Sequence, residues 1–281
     1  MTSWFVLVED LFRASAEVLG TGSVRSTFKV TLETGDELVV KRLRAIMDLP
    51  KEEFDLRVAV IGAIQNDNIA PLQWYYYSQD EKLLVYNYFP MGSLAHTLHG
   101  YRAPLTWDRR AAIALAAARG VAYIHSAGPS SCHGNIRSSN IMLRGTHNVS
   151  VSEHGLTALG PFPRPSGYSA PEITKDKWVS QKAGVYSFGV LLLELLTRKD
   201  PGNNTQLEDR VNLPRWVRSV AQQEWAAKVI DMDLLAQRQK VGVKGCMVRL
   251  LQLALYCCRE DANLRTMTMS EVVKRLEKMQ T

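Results

Sequence analysis

Residues 26–32 alternate apolar and polar positions, the period of a half-buried strand. Before them, Glu17-Val18-Leu19 runs into a glycine turn. After them, Glu33-Thr34-Gly35-Asp36 carries hairpin-turn chemistry and leads into a third strand over Glu37–Leu43. From about residue 51 to 64 the period changes. Phe54, Val58 and Ile61 recur at three- and four-residue spacing, which predicts a helix. Residues 71–78 and 82–89 read as a second strand pair across Gln79-Asp80-Glu81. After Pro90-Met91-Gly92-Ser93 the pattern becomes helical. An alanine-rich helix is predicted over 107–125 with Thr106 as its N-cap. Residues 182–198 are apolar nearly all round, which predicts a helix buried on every side. Thr268-Met269-Ser270-Glu271 is a capping box that opens the last helix. A β-rich lobe over about 1–90 followed by a helical lobe over about 91–281 predicts an α+β domain with a cleft between its halves.

The 281 residues, 46% hydrophobic and 22% charged, suit a single two-lobed globular domain spanning 1–281. No apolar run reaches about 18 residues, so no transmembrane helix is expected. The N-terminal stretch Met1-Thr2-Ser3-Trp4-Phe5-Val6-Leu7-Val8-Glu9-Asp10 lacks a basic n-region and does not read as a signal peptide. Cys132, Cys246, Cys257 and Cys258 show neither metal-ligand spacing nor a disulfide framework, as reduced thiols in a cytosolic protein would. The two glycosylation sequons, at Asn148 and Asn203, are then chance matches. The net charge of +6 is scattered, and no zinc finger or RNA-binding signature accompanies it, so no nucleic-acid partner is expected. The expected location is cytoplasmic. It becomes the cytoplasmic face of the plasma membrane if the chain is part of a longer receptor, because any membrane contact would need a segment outside this sequence.

Several short motifs follow one another in a fixed order: Asp10-Leu11-Phe12-Arg13-Ala14-Ser15-Ala16-Glu17-Val18-Leu19-Gly20, Glu81-Lys82-Leu83-Leu84-Val85-Tyr86, Gly92-Ser93-Leu94, His133-Gly134-Asn135-Ile136-Arg137-Ser138-Ser139-Asn140, Ser152-Glu153-His154-Gly155 and Val185-Tyr186-Ser187-Phe188-Gly189. In this order they resemble the protein kinase domain over nearly the whole chain. They are most similar to the cytoplasmic domains of plant leucine-rich-repeat receptor-like kinases. The resemblance implies a bilobal kinase fold, with a β-rich N-lobe holding one main helix and a larger helical C-lobe.

It also implies a nucleotide site, from which this chain departs. Gly20 and Gly22 match two of three phosphate-loop glycines, but Arg25 stands at the third and Thr27 where a valine covers the adenine. Arg25 is expected to crowd the phosphates or to reach into their place. Lys41 matches the lysine that grips phosphates, while Ala59 stands at its glutamate partner. Such a lysine needs another carboxylate, because deleting one member of a buried pair costs about 3–5 kcal/mol. Asp55, one turn before Ala59, and Glu153 are the candidates, with Glu153 preferred. Tyr86 falls at the gatekeeper position and Tyr88 in the hinge. Asn135 replaces the catalytic aspartate, and an amide cannot act as a base at neutral pH. Asn140 matches a magnesium ligand. Glu153 replaces the other, with an added methylene that suits magnesium's strict geometry poorly. His133 and His154 read as structural, the latter as a pH-insensitive filler. Gly184 stands where an aspartate would anchor the catalytic loop, and Arg265 is expected to pair with Glu172. The segment after Gly155 is stiffened by Pro161, Pro163 and Pro165.

Asn135, Glu153, Ala59, Arg25 and Gly184 together point to a pseudokinase. It would require no cofactor, bind ATP weakly or not at all, and not use magnesium. Its role would be that of a signalling scaffold or allosteric partner, with other kinases or receptor-kinase cytoplasmic domains as partners. The rival reading is a weakly active or atypical Ser/Thr kinase that uses Glu153 and Asn140 for metal.

Overall fold

The computed structural model describes residues 10–11, 13–21, 25–44, 49–100, 103–145, 147–160, 166–173, 179–202, 212–223, 228–237 and 242–279. Gly22 and the three prolines Pro161, Pro163 and Pro165 lie outside them.

The first half is a five-stranded antiparallel sheet with one helix. Its strands are β1 (Ser15–Thr21), β2 (Arg25–Thr31), β3 (Glu37–Leu43), β4 (Leu72–Tyr77) and β5 (Lys82–Asn87), in the order β1-β2-β3-β5-β4. The helix α1 (Lys51–Ala63) falls between β3 and β4. Because side chains alternate along a strand, Val39, Lys41 and Leu43 share one face of β3 and Val40 takes the other. Val39 and Leu43 pack with Phe54, Val58 and Ile61 of α1, whose spacing had predicted that face. Val40 joins Leu11, Val30, Trp74, Leu83 and Val85 on the opposite side. Lys41 is thereby carried into the space between the sheet and the second half of the molecule, opposite Thr27 on β2 and Leu84 on β5. Phe54 is fully buried, and its truncation to alanine would cost about 3–5 kcal/mol.

The second half is helical: α2 (Leu94–His99), α3 (Trp107–Ser126), α4 (Gln181–Thr197), α5 (Leu213–Gln223), α6 (Met232–Leu235), α7 (Val243–Cys257) and α8 (Met269–Glu277). Thr106 caps α3 by accepting from the Arg109 amide, and Thr268 and Glu271 form the expected capping box on α8. The helix α4 is buried along nearly its whole length, as its all-round apolar sequence requires. It packs on α7, and α3 packs on α8. Arg265 makes two bonds to Glu172, at 2.7 and 2.6 Å. Among the described residues no helix is long and apolar enough to cross a membrane.

A small hairpin, β6 (Ile141–Leu143) and β7 (Val149–Val151), ties the halves together. The Val151 amide donates to Asn68 at 2.8 Å and the Ala70 amide donates to Val151 at 3.0 Å, so the segment after α1 is bonded to the end of β7. The residues directly after β7 therefore enter the cleft at a fixed height beneath Lys41.

Candidate functional site

Glu153 is the hub of the cleft. Its Oε1 accepts from Lys41 Nζ at 2.6 Å, and its Oε2 accepts from Asn135 Nδ2 and forms an ion pair with Arg25 Nη2, each at 2.9 Å. Lys41 and Arg25 come from neighbouring strands of the first half, while Asn135 and Glu153 come from loops of the second. The Lys41 and Glu153 side chains are only 10% and 9% exposed, and Arg25 is 21% exposed. Burial alone would raise the Glu153 pKa, but the charges of Lys41 and Arg25 and the Lys41 hydrogen bond outweigh it and hold the carboxyl down at about 2. Asp55, the other candidate partner for Lys41, pairs with Lys51 one turn back along α1 instead.

The backbone around the hub is fixed by unusual conformations and close packing. Glu153 adopts a left-handed φ of 68°, rare for a residue with a side chain. Gly155 has a φ of 72°, and a Cβ there would lie 2.7 Å from Ile61 of α1. Gly134 has a φ of 79°, and a Cβ there would meet Thr157 at 2.6 Å. Only glycine satisfies both demands at these positions. The Asn135 amide donates to His133 Nδ1 at 3.1 Å, so the ring proton sits on Nε2, which donates to the Ser152 carbonyl at 2.9 Å. Burial keeps His133 neutral, with its pKa lowered to about 3. His154 donates to the Ile61 carbonyl at 3.1 Å and is likewise held neutral by burial. Beyond Gly155 a single 3-10 turn, Leu156–Ala158, places Leu156 and Leu159 in the apolar cluster under α1, and Arg57 donates to the Ala158 carbonyl.

The remaining expected site residues fall as follows. Gly20 lies on β1 opposite Thr27, and a Cβ added there would touch nothing within 4 Å. Tyr86 is buried on β5, with a hydroxyl that has no hydrogen-bond partner among the described residues. Its pKa is raised by burial and further by the Glu153 charge. Tyr88 lies under Lys29, whose Nζ is 4.4 Å from the ring centroid. Asn140 is buried and donates to the Asn135 carbonyl at 2.8 Å, while its own carbonyl accepts from the Ser152 amide and hydroxyl. Ala59 is exposed on α1. Beside Gly184 lies the His125 ring, whose Nε2 would be 3.1 Å from a Cβ there. That nitrogen is buried without a hydrogen-bond partner among the described residues.

This donor set does not fit a magnesium ion. Magnesium needs near-octahedral oxygen ligation by carboxylates and phosphates. Here the single carboxylate of the hub already has both oxygens engaged by two cations and an amide N–H. A divalent ion would have to displace them. Nor does the hub supply a base: Asn135 is an amide, and Glu153 is held in its ionised form by its partners.

Sequence reasoning missed a second buried carboxylate. Glu194, wholly buried in α4, accepts from Ser138 at 2.7 Å, from Tyr168 at 2.6 Å and from His99 at 2.8 Å. The available signal was a lone glutamate inside the run Leu191-Leu192-Leu193-Glu194-Leu195-Leu196, since a helix buried on every side must supply such a residue with partners.

Residues 14–276 match the family of protein tyrosine and serine/threonine kinases. A probable inactive receptor kinase of Arabidopsis thaliana is 46% identical over 97% of this chain and 42% of its own length. The chain thus spans less than half the length of the curated relatives it matches. Other relatives in the same plant bear the names of leucine-rich repeat receptor-like protein kinases. Two solved structures share the architecture. The kinase domain of maize SIRK1 (sucrose-induced receptor kinase 1), bound to AMP-PNP, superposes with a TM-score of 0.83 at 30% identity, covering 97% of this chain and 96% of its own. The pseudokinase domain of BIR2, an immune regulator of the RLK/Pelle family, gives 0.81 at 28% identity, covering 97% and 85%.

Proposed function

We infer what this chain does from one premise: it belongs to the protein kinase family, among the plant leucine-rich-repeat receptor-like kinases. We propose that it is a pseudokinase domain that signals by binding rather than by phosphoryl transfer. The observation that carries this reading is the Glu153 hub. The lysine that would hold phosphates and the carboxylate that would hold metal are bonded to each other, and Arg25 and Asn135 fill the remaining positions on that carboxylate. The cleft is closed by its own side chains. A positioned base contributes roughly 10²–10⁴-fold to such reactions, and Asn135 cannot supply one. ATP then binds weakly or not at all, and magnesium adds little.

A fixed cleft presents a fixed surface. The outer face of α1 supports a binding role: Leu56 is 70% exposed and Val60 67%, with Ala59 and Ala63 beside them. Adjacent exposed apolar side chains mark interaction surfaces. The partner class we propose is the cytoplasmic domain of another receptor kinase, met at the cytoplasmic face of the membrane.

The test is incorporation of radiolabelled phosphate from ATP into the protein itself and into a general substrate. No incorporation is expected. Incorporation that Lys41→Ala abolishes would establish the rival reading, a weakly active kinase.

A further inference from the structure

The C-terminal ends of α2 and α4 meet in the helical half, beside the segment that leads into α6. Together they line a cavity of about 470 Å³, within the range of about 300–1,000 Å³ that ligand sites occupy. Four basic side chains reach it: His99, Arg198, Lys199 and Lys228. Cations at helix C-termini ordinarily serve the last carbonyls and the dipole. Here that need is met by two arginines and one amide. Arg198 Nε donates to the Leu98 carbonyl at 2.8 Å, Arg110 Nη1 donates to Leu195 at 2.7 Å, and the Asp231 amide donates to Leu196 at 2.8 Å. The nearby carboxylates are engaged as well: Asp231 by Arg110, Asp233 by Arg198 and Glu194 by His99. Asp200 Oδ1 accepts from the Gly202 amide at 2.7 Å. Lys199 stands outside both sets. Its Nζ rests on the Trp216 ring of α5, 4.7 Å from the centroid, and it is in no ion pair among the described residues. Lys228 is exposed and adds its charge to the same cavity. Beside these cations the lining is apolar. Val229 and Ile230 are buried in its wall, and Met232 stands 81% exposed. An exposed methionine is a soft, adaptable contact for an apolar side chain.

We propose that this cavity is a docking site for an acidic segment of a partner protein, which places carboxylates on Lys199 and Lys228 and one apolar side chain against Met232, Val229 and Ile230. Charge complementarity selects the sign of the partner. Ion pairs at an exposed rim are individually weak, so the apolar anchor supplies the affinity that the lysines do not. The concave shape selects a peptide over a membrane. A bilayer surface would meet the lysines without entering the cavity, whereas a single side chain fits inside it. The site involves neither the Glu153 hub nor the outer face of α1, so it is a second binding surface on the same domain.

The experiment is fluorescence anisotropy, with the 281-residue chain titrated into a labelled peptide of glutamates around a central leucine. Saturable binding is expected, and Lys199→Glu with Lys228→Glu should weaken it at least about tenfold. Replacing the leucine of the peptide by serine, or introducing Met232→Asp, should weaken it at least about threefold. Lys244→Glu with Lys274→Glu changes two exposed lysines of α7 and α8 by the same charge and should leave Kd within about twofold. An equal loss from that pair would make the binding a matter of net charge and overturn the site. No saturable binding, indifference to the Lys199 and Lys228 changes, or equal binding of a lysine counterpart of the peptide overturns it too. So does sedimentation on phosphatidylserine vesicles without peptide binding, which would assign the lysines to a membrane. If the charge-reversed pair does not fold by circular dichroism, Lys199→Gln with Lys228→Gln should weaken binding at least about threefold, and an unchanged Kd overturns the proposal. Failure here leaves the non-catalytic reading standing, because that reading rests on the Glu153 hub.

Discussion

Lys41 on β3 and Glu153 just beyond β7 are joined by a 2.6 Å ion pair that crosses the cleft between the sheet and the helical half. Arg25 reaches the other oxygen of the same carboxylate from β2. One carboxylate of the second half thus engages two neighbouring strands of the sheet, so loss of Glu153 removes both ion pairs while loss of either cation removes one.

That asymmetry is measurable. Glu153→Gln strands two cations and should lower stability by about 3–5 kcal/mol. Lys41→Met should cost less, because Arg25 still neutralises Glu153. Arg25→Ala should cost least, about 1 kcal/mol or under, because that side chain is partly solvated and Lys41 remains. The double change Lys41→Met with Glu153→Leu should cost clearly less than the sum of its parts. Urea denaturation gives the order, and an Arg25→Ala loss equal to that of Glu153→Gln would contradict it.

Reversion to catalytic residues should fail one at a time. Asn135→Asp would put a carboxylate where an amide now donates to Glu153 at 2.9 Å, replacing a hydrogen bond with like-charge repulsion. The single variant should be less stable and still inactive. Asn135→Asp combined with Glu153→Asp and Ala59→Glu should do better than any single change, because residues that act as a unit are strongly non-additive. Robust turnover from Asn135→Asp alone, in a phosphoryl-transfer assay, would refute this account of the site.

The sequence made some of this legible and left the rest hidden, for physical reasons. β3 and α1 were readable because one face of each is buried, and burial imposes a period on Val39, Leu43, Phe54, Val58 and Ile61. The need of Lys41 for a carboxylate was readable from energetics, since Ala59 left it without one. The Asn135–Glu153 bond was not, because it depends on the left-handed backbone at Glu153, and nothing in the local sequence demands φ of 68° there. The turn at Leu156–Ala158 was hidden for a related reason: Leu156 and Leu159 join a cluster whose other members lie about a hundred positions earlier in the chain. Glu194 was hidden inside an apolar run, where its partners come from α2, the catalytic-loop segment and Tyr168.

Acid should destabilise the fold well before it opens the cleft. His133 and His125 are held neutral by burial, with pKa values lowered to about 3 and about 4 from 6.5, and His154 is lowered for the same reason. Below pH 6.5 the unfolded chain takes up protons that the folded chain refuses. Stability is therefore complete above 6.5 and falls as pH drops, by about 1.4 kcal/mol per pH unit for each such histidine. Glu153 follows only between 4.5 and about 2, where its ion pairs are lost. His99 runs the other way. Its pKa is raised by Glu194, so its contribution is present below 6.5 and fades as pH rises through that raised value. The urea midpoint should fall steeply from pH 6 to 4, and a midpoint that rises over that range would contradict the burial of neutral histidines.

The outer face of α1 should matter for association and not for folding. Leu56→Glu with Val60→Glu changes two well-exposed positions, so stability should stay within about 0.5 kcal/mol of the unsubstituted chain. Capture of a purified receptor-kinase cytoplasmic domain should weaken. Undiminished capture, with the fold intact by circular dichroism, would remove α1 from the proposed interface.

The measurement that bears most directly on the closed cleft is calorimetric titration of the unsubstituted protein with ATP, in magnesium and in EDTA. A cleft filled by Lys41, Arg25 and Glu153 predicts weak or undetectable binding and no gain from magnesium. Tight binding that depends on magnesium would mean that Glu153 releases both cations to take up a metal, and it would contradict the account.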